Sequence, residues 1–183
     1  MHIDREISPP FDASTVRTLR AGDLVALSGV VYTARDAAHK RLCELIERRE
    51  PPPIDLRGQV IYFTGPSPAK PGRVIGSAGP TTSSRMDAYS PTVIRETGLR
   101  GMIGKGNRGK PVIEAMRRYG CVYFAATGGA GALIAKTILK ADIMCYEDLG
   151  PEAIYRLEVK ELPLVVAIDC HGNNVYSPAV LGL

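Results

Sequence analysis

The chain of 183 residues is long enough to build a hydrophobic core, and its length predicts one domain over residues 1–183. Hydrophobic residues make up 45% of it and charged residues 23%, which is ordinary for a globular protein. The 23 Lys and Arg exceed the 19 Asp and Glu by only +4, and no long run of like charges exists, so the charge does not indicate a nucleic-acid-binding protein. A small anionic substrate would suit this mild excess equally well.

No apolar stretch reaches the roughly 18 residues that a membrane-spanning helix needs. The N-terminal MHIDREISPP has acids and prolines where a signal peptide needs an apolar core, so we expect a cytoplasmic protein without membrane contacts. The four cysteines are scattered, without a Cys-x-x-Cys pair: Cys43, Cys121, Cys145 and Cys170. We interpret them as free, mostly buried thiols and expect no complete set of metal ligands from this chain.

The first predicted elements are a strand and a helix. A Val- and Leu-rich strand covers 23–32 and is interrupted at Ser28-Gly29 by a bulge or tight turn. Thr33 and Asp36 then have the spacing of a capping box, with Thr33 as the N-cap residue. The helix runs to Arg49, where three prolines end it.

Strands and helices alternate through the middle of the chain. Strands are predicted over 59–64 and 73–78, on either side of a loop rich in Pro and Gly. The next helix begins near Arg85 or restarts at Ser90-Pro91, and Gly98 closes it. The elements that follow are a strand over 100–104, a helix over 111–119 and a strand over 121–126.

The last third of the chain is richer in strands. The glycine-rich stretch 128–132 opens a helix that runs to about residue 139, and strands are predicted over 143–146, 153–159 and 164–169. This order of elements indicates an α/β fold, three-layer or mixed, rather than a helical bundle or a β-sandwich.

Residues 79–94 form the stretch richest in polar chemistry. Four consecutive hydroxyl residues precede Arg85: Thr81, Thr82, Ser83 and Ser84. A strand-to-helix turn with free backbone N–H groups, hydroxyls and a guanidinium suits an anion. The alternative interpretation is a well-capped helix start, since Ser and Thr are preferred N-cap residues.

Two glycine-rich loops do not carry nucleotide-binding motifs. A P-loop needs Ser or Thr after its Lys, but Gly106 follows Lys105. Gly129 and Gly131 follow a strand as in a dinucleotide fingerprint, yet Ile134 stands at the third glycine position. Close packing of a helix on a strand explains these glycines as well as a ligand does.

Arg35, Arg85 and Lys105 each come just after a predicted strand. Ligand sites of open α/β sheets collect at the carboxyl ends of strands, and three cations gathered there would suit a dicarboxylate. The alternative for each one alone is a solvated surface cation. His39, on the helix face of Arg35, is either a site residue or a surface histidine. Asp87 is placed to orient Arg85 through a salt bridge.

Three segments resemble a known family in their order and spacing: ARDAAHKR (34–41), GPTTSSRMD (79–87) and GKGN (104–107). The sequence resembles the β subunit of class I fumarate hydratase and L-tartrate dehydratase, which is equivalent to the C-terminal domain of single-chain class I fumarases. The resemblance covers nearly the whole chain, including the segment LGPEAI (149–154). It implies a swivelling β/β/α domain that closes over a site shared with an α subunit, in an αβ or α2β2 assembly. It also implies a [4Fe–4S] cluster whose three cysteine ligands lie on the α subunit.

The resemblance further implies roles for single residues. On the matching positions, Arg35, Arg85 and Lys105 bind substrate carboxylates, and Thr81 is the candidate base. A threonine hydroxyl is a poor base at its ordinary pKa, so this role requires neighbouring cations and a proton-accepting partner. The matched segments contain the other residues that we assign: Thr82 at the substrate, Asp36 as a second catalytic group beside its capping role, and His39, Asp87, Gly104 and Asn107 as supporting residues.

Fumarate and (S)-malate are the first substrate pair that this resemblance implies, because Asp87 and Asn107 look more like fumarases than tartrate dehydratases. Tartrate or another hydroxy-dicarboxylate is the alternative. A hypothesis of another class is an anion-binding or regulatory domain without chemistry of its own. Co-purification with an α chain that carries cysteine ligands would favour the enzyme.

Overall fold

The computed structural model describes residues 3–126 and 131–177. Within them, seven strands form one sheet: β1 (Arg5–Ile7), β2 (Leu24–Thr33), β3 (Val60–Tyr62), β4 (Gly101–Gly104), β5 (Val122–Ala125), β6 (Ile138–Cys145) and β7 (Ile154–Ile168). The helices are α1 (Ala13–Thr18), α2 (Asp36–Glu47), α3 (Ser90–Thr97), α4 (Lys110–Tyr119) and α5 (Gly131–Ala135). Two 3₁₀ turns cover Ser83–Met86 and Glu147–Glu152.

The sheet closes on itself. Its strand order is β1-β2-β3-β4-β5-β7-β6, and an additional pairing of β2 with β7 joins five strands, β2-β3-β4-β5-β7, into a barrel. Strands β1 to β5 pair in parallel, whereas β7 is antiparallel to β2, β5 and β6. The carboxyl ends of β2, β3, β4 and β5 therefore meet at one edge of the barrel.

The central strands are buried on both faces. Along β3, Val60 and Tyr62 belong to one apolar cluster, whereas Ile61 and the following Phe63 belong to a second. Because successive side chains of a strand point to opposite faces, the first cluster fills the barrel and the second lies between the barrel and the helices. The helices contribute one apolar face to that second cluster, through Ala38 and Leu42 of α2, Val93 and Ile94 of α3, and Val112 and Met116 of α4.

Much of the predicted element order is confirmed, including the mixed α/β class. The sheet register shifts between Leu27 and Gly29, where Gly29 has φ +122°, so the predicted interruption of the first strand is a β-bulge. Helix α3 starts at Ser90 with a proline in its first turn, and Gly98 ends it in the left-handed conformation with φ +72°.

The predicted capping box at the start of α2 is wrong. Thr33 is the last residue of β2, where its hydroxyl donates to the Ala153 carbonyl at 3.2 Å and accepts from the Tyr155 N–H at 2.9 Å. The N-cap residue is Arg35, whose side chain makes no capping hydrogen bond. The Thr33 hydroxyl thus forms hydrogen bonds with the backbone at the start of the neighbouring strand β7 instead of capping the helix.

The predicted strand over 73–78 is also wrong. This segment folds back on the loop after β3, with the Ser67 N–H donating to the Ser77 carbonyl at 2.9 Å and the Gly76 N–H to the Ser67 carbonyl at 3.1 Å. The prolines in the preceding loop lack the N–H groups that a sheet ladder requires. Arg85 consequently follows a long loop and not a strand.

Three predictions for the last third need correction. The helix expected from 128 to 139 is limited to Gly131–Ala135, with residues 127–130 outside the described part, because Ile138 already pairs with Val159 in the sheet. The strand expected over 143–146 is the end of β6, and the strands over 153–159 and 164–169 are one strand, β7. No helix in the described residues is long and apolar enough to cross a membrane.

Candidate active site

The carboxyl edge of the barrel gathers most of the predicted site residues. Arg35 follows β2, the segment Phe63–Gly65 follows β3, and Lys105 follows β4. Since these three strands are parallel neighbours, the residues after them are brought side by side. Sheet topology accordingly places Arg35 and Lys105 at the same edge, as the sequence predicts.

Thr81 and Thr82 are attached to this edge through the backbone. The Thr81 N–H donates to the Phe63 carbonyl at 2.7 Å, and Thr82 forms a parallel β-bridge with Lys105. The Ser83 N–H donates to the Lys105 carbonyl at 3.0 Å. The hydroxyl-rich segment therefore acts as a short extra strand between the ends of β3 and β4.

Gly104 permits this close approach. A Cβ atom at Gly104 would lie 2.0 Å from Ser83 Oγ and 2.8 Å from Phe63 Cδ2, which no real side chain tolerates. Ser83 Oγ is fully buried and lies 2.8 Å from the Tyr123 hydroxyl, which itself donates to the Gly106 carbonyl at 2.8 Å. Because a carbonyl oxygen only accepts, Ser83 is the donor to Tyr123. Gly104 thus lets the hydroxyl-rich segment pack against the end of β4, while its supporting role at the site stays a prediction.

Arg35 is held in one orientation. Its Nη2 lies 3.1 Å from Glu152 Oε1, and its side chain is only 23% exposed. A Cβ atom at Gly65 would lie 3.1 Å from Arg35 Nη1 and 3.1 Å from the Pro151 carbonyl, so the guanidinium is confined on that side as well. Arg35 Nε is buried and has no hydrogen-bond partner among the described residues.

Asp36 is the first residue of α2 and lies beside Arg35. Its Oδ1 is 3.9 Å from Arg35 Nε and is likewise buried without a hydrogen-bond partner in the described part of the chain. The capping role expected for Asp36 is absent, since Thr33 belongs to the strand. The Asp36 carboxylate therefore does not form the capping box expected at the start of α2.

Arg85 and Lys105 are exposed, and neither has an ion-pair partner within residues 3–126 and 131–177. Arg85 lies in the 3₁₀ turn Ser83–Met86, three residues beyond Thr82. Thr82 is exposed and Thr81 half-buried. Unpaired cations and hydroxyls at one edge form a surface suited to a carboxylate ligand.

His39 is buried, which excludes one of the two alternatives, a surface histidine. It is 1% exposed, packs edge-on against Phe63, and its Nδ1 lies 2.9 Å from the Arg35 carbonyl oxygen. Burial lowers the pKa of His39 to about 4. The neutral imidazole therefore carries its proton on Nδ1 and donates it to the residue that precedes α2.

Asp87 pairs with Arg108 and not with Arg85, which corrects the predicted salt bridge. Arg108 Nε donates to Asp87 Oδ1 at 2.7 Å, and the Gly109 N–H donates to Asp87 Oδ2 at 2.7 Å. Arg108 also donates to Ser90 Oγ at 2.7 Å. Asp87 therefore links the turn that carries Arg85 to the loop after β4.

Sequence reasoning missed Arg108, although it directly follows the GKGN segment. Its side chain is 0% exposed and its guanidinium carbon lies 5.2 Å from the ring centres of Phe63 and Tyr123. A lone arginine after a glycine-rich loop gives no signal of burial. Asn107, before it, accepts from the Arg108 N–H at 2.8 Å and from Asn174 Nδ2 at 3.0 Å, which supports the same loop.

A cleft of about 580 Å³ lies away from these residues. Its lining comes from the loop after β3 and from α5 and the start of β6, including Arg73, Val74, Lys136 and Ile138. None of the predicted site residues lines it. The candidate site is therefore an open edge rather than an enclosed pocket.

Comparison with known proteins gives one family and several relatives. A family model described as "Fumarase C-terminus" matches residues 4–179. The chain is 41% identical over 166 residues to the "Putative L(+)-tartrate dehydratase subunit beta" of Methanocaldococcus jannaschii, covering 88% of this chain and 85% of the relative. It is 35% identical over 173 residues to the L(+)-tartrate dehydratase subunit beta of Escherichia coli strain K12, covering 92% of this chain and 85% of the relative.

A longer relative matches over a part of its length. The chain is 36% identical over 174 residues to the "Putative fumarate hydratase class I" of Geobacillus stearothermophilus, covering 93% of this chain. The match spans only 33% of that relative, so two thirds of it have no counterpart here.

Proposed function

Because the chain belongs to the Fumarase C-terminus family, we propose that it is the β subunit of a hydro-lyase that hydrates fumarate reversibly to (S)-malate. The observation that carries this proposal is the barrel edge where Arg35, Lys105 and the segment Thr81–Arg85 lie together. The two carboxylates of a small substrate could each bind a separate cation at this edge. Arg would bind a carboxylate through two parallel hydrogen bonds, and Lys through its charge.

Substrate binding is assigned to Arg35, Arg85 and Lys105, with Thr82 as an additional hydroxyl donor. Arg35 is preorganised by its neighbours, whereas Arg85 and Lys105 are exposed and unpaired within the described residues. Their positive charges also stabilise the negative charge that develops on the substrate during proton transfer, most strongly once the edge is shielded from water.

Proton transfer is assigned to Thr81, with Asp36 as the second catalytic group. Hydration adds a hydroxyl to one alkene carbon and a proton to the other, and dehydration reverses both steps. Thr81 is half-buried and joined to the end of β3, and Asp36 lies beside Arg35 with its side chain 40% exposed, so both belong to the proposed substrate-binding edge. Cationic neighbours lower the cost of a threonine alkoxide, as this role requires.

The described residues of this chain do not fit an iron–sulfur cluster. Residues 3–126 and 131–177 contain no group of three or more His, Cys, Asp or Glu side chains that could hold a metal ion. The four cysteines are free, two buried and two half-buried. We assign the [4Fe–4S] cluster to the α subunit, as the resemblance implies.

Dependence on an α subunit is part of the proposal. Two relatives are named β subunits, and the longer relative has two thirds of its length outside the match. The open edge of this chain would be completed by such a partner, in an αβ or α2β2 assembly. The swivelling motion of a β/β/α domain over the shared site and the cytoplasmic location belong to the same proposal.

L-tartrate is the second candidate substrate, favoured by the names of the two relatives that match over most of their own length. Tartrate differs from malate by one hydroxyl, so the same cations would bind its carboxylates. The test is an anaerobic assay of the chain mixed with its α subunit, with fumarate and L-tartrate in parallel. Turnover of fumarate supports the first candidate and turnover of tartrate alone the second. A complex that turns over neither of these nor another hydroxy-dicarboxylate would refute the hydro-lyase and favour a non-catalytic anion-binding domain.

A further inference from the structure

The segment Glu147–Glu152, between β6 and β7, reaches across to the start of α2. Glu152 Oε1 lies 3.1 Å from Arg35 Nη2, and Glu152 Oε2 accepts from the Ala37 N–H at 3.2 Å. One carboxylate thus bridges the guanidinium before the helix and the backbone of its second residue. Glu152 belongs to the LGPEAI stretch (149–154), and the sequence pattern alone predicts no role for it.

Glu152 supplies a hydrogen-bond acceptor that the start of α2 otherwise lacks. The N-cap residue Arg35 makes no side-chain capping bond, so the first N–H groups of the helix need another acceptor. A carboxylate is favourable there because it faces the positive end of the helix dipole. With side chains 23% and 25% exposed, the pair of Arg35 and Glu152 is also partly shielded from water.

The remaining surroundings of Arg35 restrict its guanidinium. Gly65 lies close to one side of it, because a Cβ atom at Gly65 would be 3.1 Å from Arg35 Nη1. Arg35 Nε is buried and lies 3.9 Å from Asp36 Oδ1. Glu152 is the ion-pair partner of Nη2, which leaves the N–H groups of Nη1 for a ligand.

We propose that Glu152 is a positioning residue that holds Arg35 in its substrate-binding orientation. This inference rests on the proposed function, since it concerns how Arg35 meets a dicarboxylate. Ordering a long side chain during binding costs affinity, and an arginine ordered in advance avoids that cost. Glu152 acts through Arg35 and does not itself touch the substrate.

The kinetic test compares three variants in the complex with the α subunit. In Glu152→Ala, KM for the dicarboxylate should rise about threefold to tenfold, with a smaller change in kcat, because substrate and transition state lose the same contact. Glu152→Gln has one acceptor oxygen in place of two, so its KM should lie between wild type and Glu152→Ala.

Asp148→Ala is the matched control. Asp148 Oδ1 accepts from Arg41 Nη1 at 2.8 Å, so this pair also joins the Glu147–Glu152 segment to α2, but at a position away from Arg35. If the segment only holds the helix in place, both Glu152→Ala and Asp148→Ala should change KM alike. Positioning of Arg35 predicts a change for Glu152→Ala alone.

A second readout does not depend on activity. In ¹⁵N NMR spectra of the full chain, the Arg35 Nε–Hε signal, assigned through Arg35→Lys, should shift in Glu152→Ala and keep its wild-type position in Asp148→Ala. A wild-type complex without fumarate or tartrate turnover would refute the proposed function but not the positioning contact. An Arg35 signal unchanged by Glu152→Ala, or a wild-type KM in that variant of an active complex, would overturn this inference.

Discussion

Arg108 and Asp87 form an ion pair that joins the two loops of the candidate site, with Arg108 Nε 2.7 Å from Asp87 Oδ1, the arginine side chain fully buried and the carboxylate 22% exposed. Asp87 directly follows the 3₁₀ turn that carries Arg85, and Arg108 lies three residues after Lys105. The pair therefore connects the two segments that carry Arg85 and Lys105, the two cations proposed to bind the substrate.

Breaking this pair should destabilise the protein strongly. Arg108→Ala removes a fully buried side chain and leaves the partly exposed Asp87 carboxylate without its charged partner, and we expect a loss of about 2–4 kcal/mol in the free energy of unfolding. Urea denaturation followed by circular dichroism measures this free energy. Arg118→Ala removes an exposed arginine that stacks on Tyr119 at 5.6 Å and should stay within about 0.5 kcal/mol of wild type. A comparable loss in both variants would contradict the assigned importance of the pair.

Gly104→Ala should disturb the contact between β4 and the hydroxyl segment. The added methyl group would lie 2.0 Å from Ser83 Oγ, and we expect about 1–3 kcal/mol of destabilisation together with reduced hydro-lyase activity. Gly79→Ala is the matched control, since its Cβ would meet Gly131 Cα at an ordinary 3.7 Å. Thermal unfolding of both variants provides the comparison, and a Gly104→Ala protein as stable as Gly79→Ala would speak against the packing.

His39 should make stability depend on pH. The pKa of His39 is about 4 in the folded chain because the ring is buried, whereas an unfolded histidine takes up a proton near its ordinary pKa of 6.5. The unfolded state therefore binds more protons between these values, and stability should fall as the pH falls through that window. From about pH 7 to pH 5 the expected loss is about 2 kcal/mol. His39→Gln should reduce this dependence, as urea denaturation at both pH values would reveal; an unchanged slope would contradict it.

Thr81→Val tests the assigned proton transfer. Valine keeps the shape of threonine and removes its hydroxyl, so kcat should fall by about 100-fold or more while the complex still assembles. Ser84→Ala, which removes an exposed hydroxyl three residues later, should keep the wild-type kcat. Steady-state kinetics measure kcat for the two variants. A wild-type kcat for Thr81→Val would remove Thr81 from the mechanism.

The parts of the fold that could be predicted from the sequence depend on local signals. Strong apolar runs define β2, β4 and β5, while Gly98 and Pro91 mark the ends of α3. The closure of the barrel could not be predicted in this way, because it depends on the long-range pairing of β2 with β7. The same pairing extends β7 past Glu161, which has φ +52°, and past Pro163, where local preference predicts a break.

The candidate site also has features that could be predicted from the sequence and features that could not. Positions after strands could be predicted, so Arg35 and Lys105 were expected at one edge, as they are found. The partners of single side chains could not be predicted. Arg85 is only two residues from Asp87 in the sequence, but the residue that pairs with Asp87 in space is Arg108. Glu152 and Arg108 were missed because nothing in their neighbouring residues reveals a contact more than twenty residues away.

The central claim is that this edge binds the carboxylates of a hydro-lyase substrate. The most direct test is the anaerobic fumarate hydration rate of the complex of this chain with its α subunit, carrying Arg85→Ala or, as a matched control, Arg73→Ala. Arg73 is another exposed arginine, located in the cleft away from the site. The account predicts that Arg85→Ala abolishes turnover with assembly intact and that Arg73→Ala retains the wild-type rate. Wild-type turnover by Arg85→Ala would contradict it.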